Sequence, residues 1–544
     1  MILYTLYNNV FKVNKSKTTH IRSVFQSISD KKCAFWCFSR GKMDGKSQKI
    51  KKNVVSSIVC QVVIISLNFL LPRLQIDIFG SEVNGILTTV KQIFGYLILL
   101  ETGIGLATTH ALYAKMGDND HAGTSRVLAA THKYYTKTGF IYLAMVLLIA
   151  VFYSFIIPNN SIDSGDLFFI IILMALPSVF SYFVQVKYRL LMEVDGRNYV
   201  LNTSETVMHL LANIGKVLVL VFSKNLIVFQ LVYCTISLAQ LVFIYLYAKR
   251  KYTWLDLKAE PDFNSISQKN SVLLHKLSGM VFSNTDTILI SVMCGFTSSS
   301  VYIVYNIFFS QMQTLISSIA SGFNFALGQM FNTDREQFNK VYNVYETMYI
   351  MATFIIYTLM AVFLLPVIQI YTAGVNDAEY TNVMLVFLFV IMNLLANGKL
   401  PINSIIEYSG KFRETQTHAV WEMIINISVS VAAIYFFGIC GAIVGTIAAL
   451  IYRCIVTINY SNKKVLGRSV FATYKRWLVN GGVFAVVMAV FFVDTFSNMS
   501  FFKLVLCGII HSLWIVPLYI AANYISDRES FRIFFSMLKG KNKA

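Results

Sequence analysis

The sequence predicts an all-α integral membrane protein of about 14 transmembrane helices. They are arranged as two pseudo-symmetric six-helix lobes plus two extra helices, with both termini cytoplasmic. Three observations predict this: a composition too apolar for a soluble chain, apolar runs of membrane-spanning length, and a one-sided placement of Lys and Arg. The 544 residues are 56% hydrophobic and only 13% charged, against about 25% charged in ordinary soluble domains. Mean hydropathy is +0.60.

A span needs about 20 mostly apolar residues. Such runs fall at 53–72, 87–111, 139–157, 167–186, 204–223, 227–247, 271–294, 301–325, 345–371, 383–408, 417–437, 441–459, 477–493 and 504–523. With the N-terminus inside, the alternate loops assigned to the outside carry Arg73, Lys224 and Lys503 as their only Lys or Arg. The other loop cations fall inside, as the positive-inside rule requires of the correct span count and direction. The same asymmetry explains the net charge of +19 without nucleic acid. The outer loops are short and mildly acidic (Asp77, Glu82, Asp163, Asp166, Asp377, Glu379, Asp494). They offer no large external loop of the kind in which a membrane glycosyltransferase or polymerase usually holds its catalytic residues, so a transporter is expected rather than an enzyme.

The chain then divides into a basic cytoplasmic tail (1–52), a first lobe (53–247), a cytoplasmic linker (248–270), a second lobe (271–459), two further helices (460–523) and a basic cytoplasmic tail (524–544). Residues 1–52 read either as a tail that binds the lipid surface or as sequence upstream of a start at Met43. No small-residue cleavage site follows a short apolar core, so the first span is expected to be its own insertion signal. The eight cysteines are scattered, with no zinc spacing, and imply neither a metal site nor a disulfide framework.

The lobes show as a repeat. Lys52-Asn53 opens the first span and Lys269-Asn270 the seventh; Gly80 and Gly295 follow at matching distances, and each is succeeded by a polar turn and a long helix ending before Asp118 and Asp334. Six spans separate the copies, so they insert in the same direction, the parallel repeat plan of many transporters. Gly441-Ala-Ile-Val-Gly445 has the small-xxx-small spacing of close helix packing.

Charges inside spans are costly and face a cavity or a partner. Arg73, Lys216, Lys276 and Lys399 are the candidate cavity cations, and Glu101 and Asp286 the deepest acids, suited to holding lysines or taking up a coupling ion (H+ or Na+). Lys399 lies in Asn393-Leu-Leu-Ala-Asn397-Gly-Lys399-Leu-Pro401-Ile-Asn403, the polar pattern of a broken helix lining a cavity. Lys91 is expected to snorkel to the outer face, and Glu346 and Arg453 to reach water at the inner edge. Glu205, Glu407 and Glu422 lie within two turns of the inner face, where loop cations can pair with them. Several cavity cations suit an anionic ligand such as a diphosphate, which Arg and Lys bind through charge-assisted hydrogen bonds.

Three stretches carry a family resemblance. They are Phe79-Gly80-Ser-Glu82-Val-Asn-Gly85 with Leu100-Glu101-Thr-Gly103-Ile-Gly105; Asn284-Thr-Asp286-Thr with Val301-Tyr302; and Tyr408-Ser-Gly410-Lys-Phe412-Arg413-Glu-Thr415 with Glu422 and Gly438 to Thr446. In this order they resemble the polysaccharide repeat-unit flippases of the multidrug/oligosaccharidyl-lipid/polysaccharide exporter superfamily. The resemblance implies alternating access in a bacterial cytoplasmic (inner) membrane and export of an undecaprenyl-diphosphate-linked oligosaccharide for O-antigen, capsule or exopolysaccharide. A polysaccharide polymerase and a chain-length regulator are the implied partners. It adds weight to Glu101 and Asp286, and to Arg413 as a substrate-binding cation. An ion-coupled multidrug or small-molecule exporter of the same superfamily is the alternative.

Overall fold

A computed structural model of the chain describes residues 66–97, 104–118, 120–156, 161–263, 265, 284–491 and 500–538. Those up to Phe534 form one compact unit, within which packing is described here. The described residues are helical, with no strand. A helix at 66–79 leads to α1 (Ser81–Leu97), α2 (Ile104–Gly117), α3 (His121–Val151, extended by a π turn), α4 (Ser164–Val184), α5 (Val186–Val194), α6 (Asn198–Phe222) and α7 (Leu226–Lys251). After the linker, a helix at 284–294 leads to α8 (Phe296–Thr333), α9 (Arg335–Tyr371), α10 (Val383–Gly398), α11 (Leu400–Ser409), α12 (Phe412–Phe437) and α13 (Ile439–Tyr460). Finally come α14 (Phe471–Phe491), α15 (Phe501–Ser526) and α16 (Arg528–Leu538).

Nine helical stretches among the described residues are long and apolar enough to cross a membrane, among them His121–Phe155, Arg335–Tyr371 and Val383–Ser409. They coincide with nine expected spans, and the chain is a multi-pass membrane protein. The expected spans at 301–325 and 477–493 lie on α8 and α14. Those at 53–72, 87–111 and 271–294 run partly into residues outside the described set.

Local signals set the boundaries. The stretch 111–139, expected as a loop, is helix over much of its length. Asp120 caps α3 by accepting from the Gly123 amide at 2.7 Å, and Val127, Leu128 and Ala130 bury the inner face of the extension. Asp334 caps α9 by accepting from the Gln337 amide at 2.9 Å, ten residues before the expected span. Such side-chain caps satisfy amides that have no intrahelical partner. α2 ends at Gly117 and α8 at Thr333, before Asp118 and Asp334 as the repeat predicts. The repeat itself is visible at Gly80 and Gly295. Both adopt left-handed backbone (φ 86° and 88°) between a helix and the next one, a conformation open to glycine at little cost.

Each half has its own apolar core. In the first, Leu112, Val127, Leu128, Tyr135, Tyr142, Leu191 and Ile244 pack together. In the second, Tyr305, Phe309, Tyr357 and Phe389 stack, with Tyr305 and Phe389 centroids 5.6 Å apart. The small-residue motif does what its spacing predicts. A Cβ on Gly441 would lie 2.2 Å from the Ala433 carbonyl oxygen, and one on Gly445 2.2 Å from Ser430 Oγ, so α13 lies directly on α12.

The extra helices α14 and α15 are tied to α9 by charge. Glu346 accepts from Arg468 Nη2 at 2.6 Å, from Thr473 Oγ1 at 2.8 Å and from Arg476. Arg476 also reaches Asp527 at 3.2 Å. Glu346 is 1% exposed, which corrects the expectation that it reaches water. The two arginines come from the α13–α14 connection and from α14, elements that fold over it.

Candidate functional site

Three groups of polar residues lie within the bundle. The first centres on Asp286, on the helix at 284–294. Its carboxylate is buried and accepts from Thr446 Oγ1 of α13 at 2.8 and 2.9 Å and from the Tyr302 hydroxyl of α8 at 3.2 Å. Asn426 Nδ2 of α12 contacts Thr446 Oγ1 at 2.8 Å, while Asn426 Oδ1 is buried with no hydrogen-bond partner. One turn further on α12, Ser430 Oγ donates to the Ala442 carbonyl at 3.1 Å. Hydroxyl oxygens from two neighbouring helices therefore meet one carboxylate, with no cation bonded to it among the described residues. No group of three or more His, Cys, Asp or Glu that could hold a metal occurs among those residues.

The second group joins Lys399, Glu422 and Arg453. Lys399 sits at the junction of α10 and α11, where Pro401 follows two residues later. A proline lacks the amide that would bond four residues back, so the helix is irregular there, as the polar stretch predicts. Lys399 Nζ donates to Glu422 Oε1 of α12 at 2.9 Å, and Arg453 Nε of α13 lies 3.5 Å from Glu422 Oε2. Arg453 is 8% exposed and does not reach water as expected, because α12 packs against it and supplies its carboxylate. Glu422, expected to pair with a loop cation, binds these two cations of the bundle instead.

The third group lies in the first half. Lys216 of α6 places its ammonium 4.3 Å from the Tyr233 ring centroid and 5.1 Å from that of Phe229, a cation–π arrangement. Lys216 forms no ion pair among the described residues. Lys91 lies ten residues into α1, which begins at Ser81 rather than 87, and its side chain is exposed.

Of the other sequence candidates, Arg73 bonds Asp77 and donates to the Ala373 carbonyl at 2.6 Å. Glu205 pairs with Arg189 at 2.9 Å, the local pairing expected of it. Arg413 lies in the first turn of α12, its side chain outside the described set; Glu101 and Lys276 also lie outside the described residues. The structure brings Lys399 and Glu422 together, places Asp286 in a separate nest, and leaves Lys216 in the other half. Asn426, Thr446 and Tyr302 were missed as site residues. A signal existed: Glu422, Asn426 and Ser430 recur every fourth residue on α12 and so share one helix face.

With this geometry the chain can be compared with known proteins. No family model matches the sequence, and no curated protein matches it. Solved structures do. A lipid II flippase, MurJ, in an inward closed conformation superposes with a TM-score of 0.57 at 14% identity, covering 87% of this chain and 99% of that one. An inward-facing multidrug resistance MATE family transporter of the MOP superfamily gives 0.56 at 13% identity, covering 76% and 96%. An outward-facing one gives 0.52 at 13% identity, covering 77% and 95%. The chain thus has the fold of MOP superfamily transporters. Within that fold the neighbours include both a lipid II flippase and multidrug transporters.

Proposed function

We propose that the protein is a flippase that moves an undecaprenyl-diphosphate-linked oligosaccharide repeat unit across the bacterial cytoplasmic membrane by alternating access, for O-antigen, capsule or exopolysaccharide synthesis. The observation that carries this reading is the convergence of Lys399 and Arg453 on Glu422 at the irregular junction of α10 and α11. Two cations gathered within the bundle suit a diphosphate, which Lys and Arg bind through charge-assisted hydrogen bonds. Lys216, set against the Tyr233 and Phe229 rings, adds a cation in the first half, and Lys276, Arg413 and Arg73 are further candidates. The positive-inside asymmetry supports cytoplasmic termini, with loading from the cytoplasm. Polymerase and chain-length regulator would act on the exported unit.

Asp286 supports a coupling role. Its carboxylate accepts from the Thr446 and Tyr302 hydroxyls, and the buried, partnerless Asn426 Oδ1 beside Thr446 is the kind of atom a small hard cation would satisfy. Asp286, Thr446, Tyr302 and Asn426 would hold such an ion, or Asp286 a proton. The same nest favours the second reading, an ion-coupled exporter of small molecules.

A strain lacking the gene separates the readings. Loss of surface polysaccharide, restored by the intact protein but not by an inserted Lys399→Met or Lys276→Met variant, is the expected result. Drug sensitivity with intact polysaccharide would transfer the assignment to the exporter. Normal polysaccharide in both lysine variants would remove them from the site.

A further inference from the structure

Part of the contact between the two halves is polar, and it runs beside an apolar patch in which Phe296 packs with Ile86 and Val90. The polar part is a narrow seam whose residues come from α1 on one side and from α8 and the α9–α10 loop on the other. Tyr380 is its bridge. The Tyr380 hydroxyl lies 2.6 Å from Ser81 Oγ of the first half and 3.2 Å from Ser300 Oγ of the second. Asn84 Nδ2 donates to Ser300 Oγ at 2.8 Å, and Thr89 and Ser299 hydroxyls lie 3.1 Å apart. Above them Asp377 accepts from the Ser81 amide at 2.6 Å and from its hydroxyl at 2.7 Å, so a carboxylate of one half caps a helix of the other. Ser81, Asn84, Thr89, Ser299, Ser300 and Tyr380 are all buried. The fit is close: a Cβ on Gly85 would stand 1.9 Å from the Phe296 carbonyl oxygen.

Polar seams and apolar cores respond differently to parting. Separating apolar faces exposes surface to water at a cost that grows with area. Separating hydroxyls and amides exchanges protein hydrogen bonds for water ones, with a small net change per bond. The polar seam therefore parts at less cost for its area than the apolar cores on either side, and the left-handed Gly80 and Gly295 stand at the starts of its two helices.

We propose that this seam is the outer gate of the transport cycle, and that Asp377 and Tyr380 form the catch holding it closed. The inference rests on the alternating-access reading but not on the identity of the substrate. Opening the gate breaks the Asp377–Ser81, Tyr380–Ser81 and Asn84–Ser300 bonds, and water fills the parted faces.

The test reads accessibility in the full-length membrane protein without substrate. Ser299→Cys places a thiol in the seam, and a membrane-impermeant maleimide is applied from outside to intact cells. The chain lacking Ser299→Cys supplies the background from native cysteines. Adding Tyr380→Phe or Asp377→Ala should speed labelling about tenfold, since one charged or buried hydrogen bond biases a two-state equilibrium by that order. In a separate arm, oxidation of Ser81→Cys/Asp377→Cys should form a disulfide that slows Ser299→Cys labelling, and reductant should restore it. Unchanged labelling in Tyr380→Phe and Asp377→Ala overturns the proposal, as does failure of the disulfide to form. If Asp377→Ala does not insert, Tyr380→Phe and the disulfide decide the matter. Lost transport with unchanged labelling would sink the catch and leave the flippase reading standing; faster labelling with normal surface polysaccharide in the deletion strain would do the reverse.

Discussion

The second half buries two clusters of charge, built on opposite plans. Around Glu346 the charges balance: Arg468 and Arg476 meet Glu346 and Asp527, and Thr473, Thr347 and Ser530 add hydrogen bonds to the carboxylates. Around Glu422, Lys399 and Arg453 share one carboxylate at the irregular junction of α10 and α11. A charge-balanced cluster fastens helices together, and here it holds α14 and α15 to α9. A cluster in which two cations converge on one acid at a helix irregularity can exchange partners when an anion arrives. Burial alone does not separate the two plans; the geometry around the shared acid does.

Three experiments break or sharpen that contrast. The largest effect is expected from Glu346→Gln, which leaves the buried Arg476 and the half-buried Arg468 short of their shared carboxylate. Breaking a buried pair costs about 3–5 kcal/mol, so thermal unfolding in detergent should shift down by many degrees. A melting temperature unchanged from wild type would show that the cluster is not a fastener.

A smaller loss of stability is expected from Lys399→Met, because Arg453 remains beside Glu422. One charge-assisted hydrogen bond is worth about 2 kcal/mol. Stability should therefore fall less than in Glu346→Gln while polysaccharide export falls to background. If Lys399→Met melts as low as Glu346→Gln and its export loss tracks the amount of folded protein, the two clusters are alike after all.

The smallest effect is a pH dependence. Asp527 lies between α15 and α16. Burial pushes its carboxyl up, but hydrogen bonds from Ser530 and Thr347 and the Arg476 charge outweigh this and hold it below the usual carboxylate range. A depressed folded-state pKa stabilises the protein above the unfolded value of about 3.9. That contribution is complete above about pH 5 and is lost as the pH falls through the folded-state value. Melting temperature followed from pH 7 to pH 3 should drop, and Asp527→Asn should flatten part of the drop. Parallel curves for the two proteins would remove Asp527 from the fastener.

The sequence was most informative where the physics is local. Nine expected spans are found as helices, and Gly441 and Gly445 pack α13 onto α12. Each of these follows from a window of about 20 residues or fewer. The sequence also named Asp286, Lys399 and Glu422 as charges needing an explanation, because charge within an apolar run is a local contradiction. It erred on exposure at Glu346 and Arg453.

Which charges meet was a matter for the tertiary structure. Asp286 and Thr446 are 160 residues apart, Glu346 and Arg476 are 130, and Ser81 and Asp377 are 296. Hydropathy and capping act along the chain, so the sequence by itself determined a membrane bundle of helices with its charges in known spans. Pairing acts through space and depends on which helix faces pack together. Only the folded bundle decided that Glu346 fastens, that Asp286 stands among oxygens, and that the two halves meet in part through hydroxyls.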